Sequence, residues 1–207
     1  MDNIINTATN NILIKDLSAI IDFSLIETRF KQLTWGRNTL NKISKDMDFF
    51  DTPELADVKK VLEHECEQFL VHGHQLTQGF EQLKMTQSWG NITSPGEQHH
   101  EHAHPFSIVS GVIYLDDNPS NLNLALQQLT PTIPYFLYLK EIFVPLGGFI
   151  GGNIPGNLKY HLVLFLSTTQ HKVVENNEGI DRRSIAFNTF WKGKVGNGHP
   201  LASADFS

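Results

Sequence analysis

The sequence lacks the features that mark secreted, membrane-spanning or disulfide-stabilised proteins. It holds one cysteine, Cys66, so an internal disulfide is excluded and a reducing compartment is expected. No stretch approaches the roughly 18 consecutive apolar residues that a membrane-spanning helix needs. The first residues, "MDNIINTATNN", have no basic region ahead of an apolar one and do not resemble a secretory signal. We therefore expect a cytoplasmic protein that does not cross a membrane.

Long basic runs are also absent. The 16 lysines and arginines are outnumbered by 22 acidic residues, which leaves a net charge of −6. This balance argues against duplex nucleic acid and anionic lipid as partners, because both attract basic surfaces. The hydrophobic fraction of 40% is that of a globular protein. The chain is long enough for one well-buried core, so residues 1–207 are predicted to form a single domain.

The spacing of apolar residues divides the chain into two parts. Around residues 52–73 they recur at helical intervals, with Thr52 at the N-cap position, Pro53 in the first turn and Gly73 as a stop. From about residue 83 the period becomes two, and the strongest predicted strands are "FSIVSGVIYLDD", "NLNLALQQL", "HLVLFLS" and "RRSIAFNTFW". We expect a helical cover over about residues 1–75 and a mainly β barrel or sandwich over about 83–192, with residues 131–157 as a long connection.

The segment "QHHEHAHP", residues 98–105, is the densest group of metal-binding side chains in the sequence. Neutral imidazoles bind first-row transition metals, and side chains two apart on a strand point the same way. His100, His102 and His104 share one parity, whereas His99 and Glu101 share the other. Two ligands from one strand need a third from elsewhere, and His171, after the strand "HLVLFLS", is the candidate. Without that third ligand the segment could equally be a solvated loop.

Arg182 and Ser184 lie two apart in "RRSIAFN" and are predicted to face one side of a strand. A guanidinium and a hydroxyl on one face can hold a carboxylate, because the guanidinium fork meets both oxygens. Arg183 has the opposite parity and is expected to point outward. The chain therefore presents a histidine pair, a β-rich interval, a lone histidine and an Arg-x-Ser motif, in that order.

This order resembles the iron(II) and 2-oxoglutarate-dependent oxygenases, and in particular a bacterial and phage-type branch of that superfamily. The resemblance rests on "SWGNI", "HAHPFSIVSGVIYL", "LVLFLSTTQHKV" and "RRSIAFN", and it runs from about residue 52 to 192. It implies a double-stranded β-helix, a cupin-like jelly-roll barrel with flanking α-helices. It also implies a dioxygenase that converts 2-oxoglutarate and O2 to succinate and carbon dioxide while hydroxylating a small-molecule or peptide substrate, which the sequence does not identify.

The resemblance also assigns roles to individual residues. His102, His104 and His171 take the positions of the iron(II) ligands. Tyr114, Arg182 and Ser184 take those of the residues that hold the distal carboxylate of 2-oxoglutarate. Asn91, together with Trp89, lies on a strand that borders this cosubstrate.

The first metal motif departs from the usual pattern of the superfamily. His-x-Asp or His-x-Glu is usual, whereas His102 and His104 would give the metal no carboxylate. His99 and Glu101 could form a usual pair instead, although the spacing to "SGVIYL" favours His102 and His104. Two other functions stay open: a cupin-like three-histidine metalloenzyme that does not use 2-oxoglutarate, and a non-catalytic metal-binding β-barrel. The sequence also leaves open whether the chain is a monomer or a homodimer.

Overall fold

The computed structural model describes residues 3–6, 11–73, 80–119, 121, 124–128, 142–145, 157–196 and 203–207. Its described strands are, in chain order, β1 Asn3–Asn6, β2 Asn11–Asp16, β3 Trp35–Arg37, β4 Lys42–Ser44, β5 Phe80–Thr93, β6 His99–His102, β7 Val109–Tyr114, β8 Leu124–Gln128, β9 Ile142–Pro145, β10 His161–Leu166, β11 His171–Val173, β12 Arg182–Val195 and β13 Ala204–Phe206. Helix α1 spans Phe23–Lys31 and helix α2 spans Ala56–Gln68.

The described strands form two antiparallel sheets. The larger has the order β1-β2-β10-β7-β12-β5-β4-β3, with β13 paired to the end of β12. The smaller has the order β6-β11-β8-β9. Strand β12 is central in the larger sheet, where Ser184 pairs with Asn91 of β5 on one side and with Tyr114 of β7 on the other. Strand pairing thus places residues from three segments that are distant in sequence side by side across the sheet.

Several segment predictions can be compared with these elements. Helix α2 is preceded by a 3-10 turn, Pro53–Leu55, and is followed by a π-helical turn, Phe69–Gly73. Thr52 has the extended backbone of an N-cap but its side chain makes no capping hydrogen bond. Most of the predicted connection over residues 131–157 lies outside the described residues, which include strand β9 within it. Among the described residues no helix is long and apolar enough to cross a membrane.

The main core lies where the two helices pack on the larger sheet. Its side chains are joined by aromatic contacts, such as the edge-to-face pair of Phe50 and Phe187, both fully buried. Cys66 belongs to this core, and burial raises the pKa of its thiol well above the usual value. This placement agrees with a structural role for Cys66. The other face of the larger sheet, which the helices do not cover, faces the smaller sheet.

Two glutamates of α2 bind backbone groups of β5. The Glu63 carboxylate accepts hydrogen bonds from the Met85 N–H and the Lys84 ammonium, each at 2.9 Å. Glu67 accepts from the Leu83 N–H at 3.0 Å. Strand β4 pairs with this edge of β5 only at residues 91 and 92. Helix α2 therefore supplies hydrogen-bond acceptors to backbone N–H groups of β5 where β4 does not pair with it. The helical pattern of the sequence did not predict these contacts.

We expect Glu63→Ala to lower the free energy of unfolding by about 2–3 kcal/mol, because a buried strand N–H and a lysine lose a charged acceptor. Urea unfolding followed by circular dichroism measures the change. Asp57→Ala on the same helix is the control: its ion pair with Lys60 is exposed, so the midpoint should scarcely move. Equal midpoints for the two variants would contradict the capping role.

Candidate metal centre

A cavity lies between the two sheets. Strands β5, β7, β10 and β12 of the larger sheet line one side, and β6 and β11 of the smaller sheet line the other. His102, His104 and His171 all line it, as do the predicted carboxylate-binding residues Arg182 and Ser184. The tertiary structure thus brings the histidine run and the Arg-x-Ser motif to one site.

The three histidines converge on one point of this cavity. Their candidate ligand nitrogens lie within 4.8 Å of one another. His102 and His171 are register partners on β6 and β11, so their side chains project from the same side of the smaller sheet. His104 lies beyond the end of β6. Its backbone N–H donates a hydrogen bond to the backbone carbonyl of Ser167 at 2.9 Å. The Ser167 hydroxyl is in turn hydrogen-bonded to Ser110 at 2.7 Å.

Backbone carbonyls orient two of the rings. His102 Nδ1 lies 2.9 Å from the carbonyl oxygen of His100, and His171 Nδ1 lies 2.9 Å from that of Thr169. A carbonyl can only accept, so in each ring Nδ1 carries the proton and Nε2 keeps its lone pair. The same second contact is typical of histidines that bind metals. Three imidazole nitrogens with this arrangement suit a first-row transition metal.

Burial keeps these histidines neutral. It lowers the pKa of His104 to about 4 and that of His171 well below its usual value. Burial also lowers the pKa of His102, against the opposing effect of the hydrogen bond to the His100 carbonyl. At neutral pH a metal therefore has no proton to displace from the ligand nitrogens, which favours binding.

A bulge in the smaller sheet changes which neighbouring histidine enters the cavity. His171 pairs with His102 and Val173 with His99, so the single residue between the pairs on β11 faces two residues of β6. As a result His99 and His102 both line the cavity, whereas His100 does not. This corrects the parity prediction, which grouped His100 with His102 and placed His99 on the other face.

The bulge places His99 and Glu101, the alternative ligand pair, in different surroundings. Glu101 is exposed and belongs to neither of the two candidate metal groups among the described residues. His99 forms the second group with His100 and His102. Burial, and then the neighbouring His102, lower the pKa of His99 to about 3, and its Nε2 lies 3.4 Å from the amide nitrogen of Asn38.

The opposite end of the cavity carries the predicted carboxylate-binding residues. Arg182 is only 3% exposed, and Ser184 and Tyr114 lie beside each other on β12 and β7. Burial lowers the pKa of Arg182, but a guanidinium stays charged at any pH of interest. Burial raises the pKa of Tyr114 to about 12, so its hydroxyl keeps its proton and can donate. Asn91 completes this level of the cavity.

Arg183 lies outside the cavity. Its guanidinium binds Asp116 at 2.6 Å and Glu27 of α1 at 2.8 Å. These two carboxylates raise its pKa further above the usual range. Adjacent arginines thus face opposite sides of β12, one toward the cavity and one toward a helix, as the alternation along the strand predicts.

A family model described as "Putative 2OG-Fe(II) oxygenase" matches residues 87–139. The structure also superposes on solved oxygenases. One is a prolyl-4-hydroxylase of Pseudomonas putida, with 16% identity, a TM-score of 0.54 and coverage of 90% of this chain and 95% of that one. The chain has the 2OG-Fe(II) oxygenase fold. The double-stranded β-helix predicted from the sequence is confirmed, and the family model agrees with the predicted resemblance over residues 87–139.

Two further solved proteins share this oxygenase fold. An oxidoreductase of the 2OG-Fe(II) oxygenase family from Burkholderia pseudomallei has 11% identity and a TM-score of 0.55, over 86% of this chain and 83% of that one. HygX from Streptomyces hygroscopicus, solved with nickel and 2-oxoglutarate, has 11% identity and a TM-score of 0.52, over 87% and 83%. No curated protein sequence matches the chain.

The family match includes only part of the candidate site of this oxygenase fold. His102, His104 and Tyr114 lie within residues 87–139, whereas His171, Arg182 and Ser184 lie beyond them. Folding brings the second set to the first. It also adds a residue that sequence reasoning missed, Phe165, whose ring lies 4.7 Å from that of His171. The sequence predicted that Phe165 lies in the strand "HLVLFLS", but it did not predict which face of that strand lines the cavity.

Proposed function

We propose that this protein is an iron(II)- and 2-oxoglutarate-dependent dioxygenase that hydroxylates a small molecule or a peptide. His102, His104 and His171 would hold iron(II). Arg182, Ser184, Tyr114 and Asn91 would hold 2-oxoglutarate. One observation carries the proposal: three neutral imidazoles and a buried guanidinium line the same cavity, whose described lining residues include no Asp or Glu.

The charges of these residues suit the two groups. Three neutral imidazoles leave the full charge of a divalent metal in the site, and Arg182 adds another positive charge. A dianionic oxo acid would offset two of these three positive charges, which matters because burying an uncompensated charge is costly. The absence of a carboxylate ligand thus makes an anionic cosubstrate more favourable here.

The chain's own residues bind and orient. Backbone carbonyls fix the rings of His102 and His171, and three protein ligands would leave coordination positions on the metal for other groups. Arg182 offers a fork that matches a carboxylate, and the neighbouring Ser184 and Tyr114 hydroxyls can donate to the same oxygens. When bound, iron(II) would activate dioxygen, which is the oxidant: one oxygen atom would enter succinate as 2-oxoglutarate loses carbon dioxide, and the other would enter the hydroxylated substrate.

One measurement without oxygen and one with oxygen test this function. Protein loaded with iron(II) without oxygen should develop a visible charge-transfer band when 2-oxoglutarate is added. Admission of oxygen should then produce succinate. A protein with full metal occupancy that shows neither signal would not be a 2-oxoglutarate oxygenase. Metal binding alone would favour the three-histidine alternative that does not use the cosubstrate.

The choice of the second ligand has its own test. We expect Glu101→Ala to leave iron(II) affinity nearly unchanged, because Glu101 is exposed and outside both histidine groups. His104→Ala should weaken it by about 100-fold or more, since loss of a supporting residue alone costs up to that amount. Competition with a metal-binding dye measures both affinities. If Glu101→Ala alone empties the site, the His99 and Glu101 pair holds the metal.

A further inference from the structure

Trp89 has a buried polar group with no partner among the residues that the structure describes. Its side chain lines the cavity and is 8% exposed, and its Nε1–H makes no hydrogen bond to any described residue. An indole nitrogen can only donate, and a buried donor without an acceptor is costly and rare. Such a group is best explained when a bound ligand supplies the acceptor.

The position of Trp89 assigns it to one end of the cavity. Its ring centroid lies 5.8 Å from that of His104. On the sheet, Trp89 pairs with Ala186, Asn91 with Ser184 and Thr93 with Arg182. At roughly 3.3 Å per residue, Trp89 and the Arg182 level are about 13 Å apart along the strands. Trp89 is therefore at the metal end, and Arg182 extends from the other end.

We propose that the Trp89 indole N–H donates a hydrogen bond to the 1-carboxylate of the bound 2-oxo acid, at the end that meets the metal. This inference rests on the proposed function. Trp89 then recognises the oxo-acid end of the cosubstrate, while Arg182, Ser184 and Tyr114 recognise the distal carboxylate. A neutral donor at this end favours ligands that place an acceptor oxygen there and disfavours ligands that place a donor or a methyl group there.

Trp89→Phe tests the inference because it keeps an aromatic ring beside His104 and removes the N–H. The protein is loaded with zinc, which binds without redox chemistry, and titrated by calorimetry with two probes. Oxalate offers only the metal-end carboxylates, whereas 2-oxoglutarate offers both ends. We expect Trp89→Phe to weaken both probes by about tenfold, the effect of a hydrogen bond to a charged group.

Arg182→Lys is the matched comparison. It should weaken 2-oxoglutarate but leave oxalate nearly unchanged, because oxalate has no distal carboxylate. Zinc affinity should be equal in both variants and the unaltered protein. If Trp89→Phe binds oxalate as tightly as the unaltered protein does, Trp89 does not recognise the metal end. If the unaltered zinc protein binds neither probe, the proposed function fails as well.

A second measurement does not depend on the variant folding. The chain has three tryptophans, so a ¹⁵N spectrum shows three indole N–H signals, and contacts to His104 assign that of Trp89. Addition of oxalate to the zinc protein should move the Trp89 signal downfield and leave those of Trp35 and Trp191 in place. A Trp89 signal that stays unmoved when oxalate is bound would overturn the inference.

Discussion

His171→Ala should abolish iron(II) binding at micromolar metal and, with it, oxygen-dependent succinate formation. His171 is the one candidate ligand that comes from outside the histidine run, and it is buried opposite His102. Without it, only His102 and His104 of the proposed ligand set are left, and both come from the histidine run. Inductively coupled plasma mass spectrometry of the desalted protein measures the bound iron, and succinate is measured in the same samples.

A histidine outside the cavity provides the control for this variant. His72 is exposed on the π-helical turn after α2, with its Nε2 3.0 Å from the Gln68 amide oxygen. His72→Ala should keep the iron content and succinate formation of the unaltered protein. If His171→Ala retains full iron, the histidines of the run hold the metal alone, and the proposed ligand set is wrong.

Arg182→Ala should raise the KM for 2-oxoglutarate by about 100-fold or more while leaving iron(II) affinity unchanged. The magnitude follows because loss of one partner of a buried charge pair costs about 2–5 kcal/mol. Arg182→Lys should recover only part of this loss, since an ammonium cannot form the two parallel hydrogen bonds of a guanidinium. Succinate formation over a range of 2-oxoglutarate concentrations gives the KM.

Arg183 supplies a neighbouring control on the same strand. Arg183→Lys alters contacts with Asp116 and Glu27, which tie β12 to the loop after β7 and to α1. It should therefore lower the melting temperature without changing the KM for 2-oxoglutarate. An unchanged KM in Arg182→Ala would show that Arg182 does not bind the cosubstrate carboxylate.

Much of the fold and part of the site followed from local patterns. Strand alternation separated Arg182 from Arg183, and both lie where that alternation places them. The same reasoning failed for His99 and His100, because alternation holds only where strand pairing is regular. The bulge opposite His171 and Val173 turns His99 toward the cavity and His100 away from it. No residue type in the histidine run predicts this bulge.

The second limit concerns contacts between distant segments. The carboxylates of Glu63 and Glu67 bind the backbone of β5, and a helical pattern does not reveal which strand its polar residues meet. Likewise, the sequence placed Trp89 on a bordering strand, but only the packed structure shows that its indole N–H is buried with no acceptor in the described part of the chain. Hydrogen-bond satisfaction depends on all neighbours at once.

The sequence by itself determined the change from helical to strand periodicity, the resemblance to the 2-oxoglutarate oxygenases and the side chains able to bind a metal and a carboxylate. These depend on residue types and spacings along the chain. The tertiary structure decided that His102, His104 and His171 converge within 4.8 Å, that Glu101 faces solvent, and that Trp89 and Arg182 mark opposite ends of one cavity. Such relations arise only when the smaller sheet, with its bulge, packs over the larger one, because distance and burial are set by packing between strands.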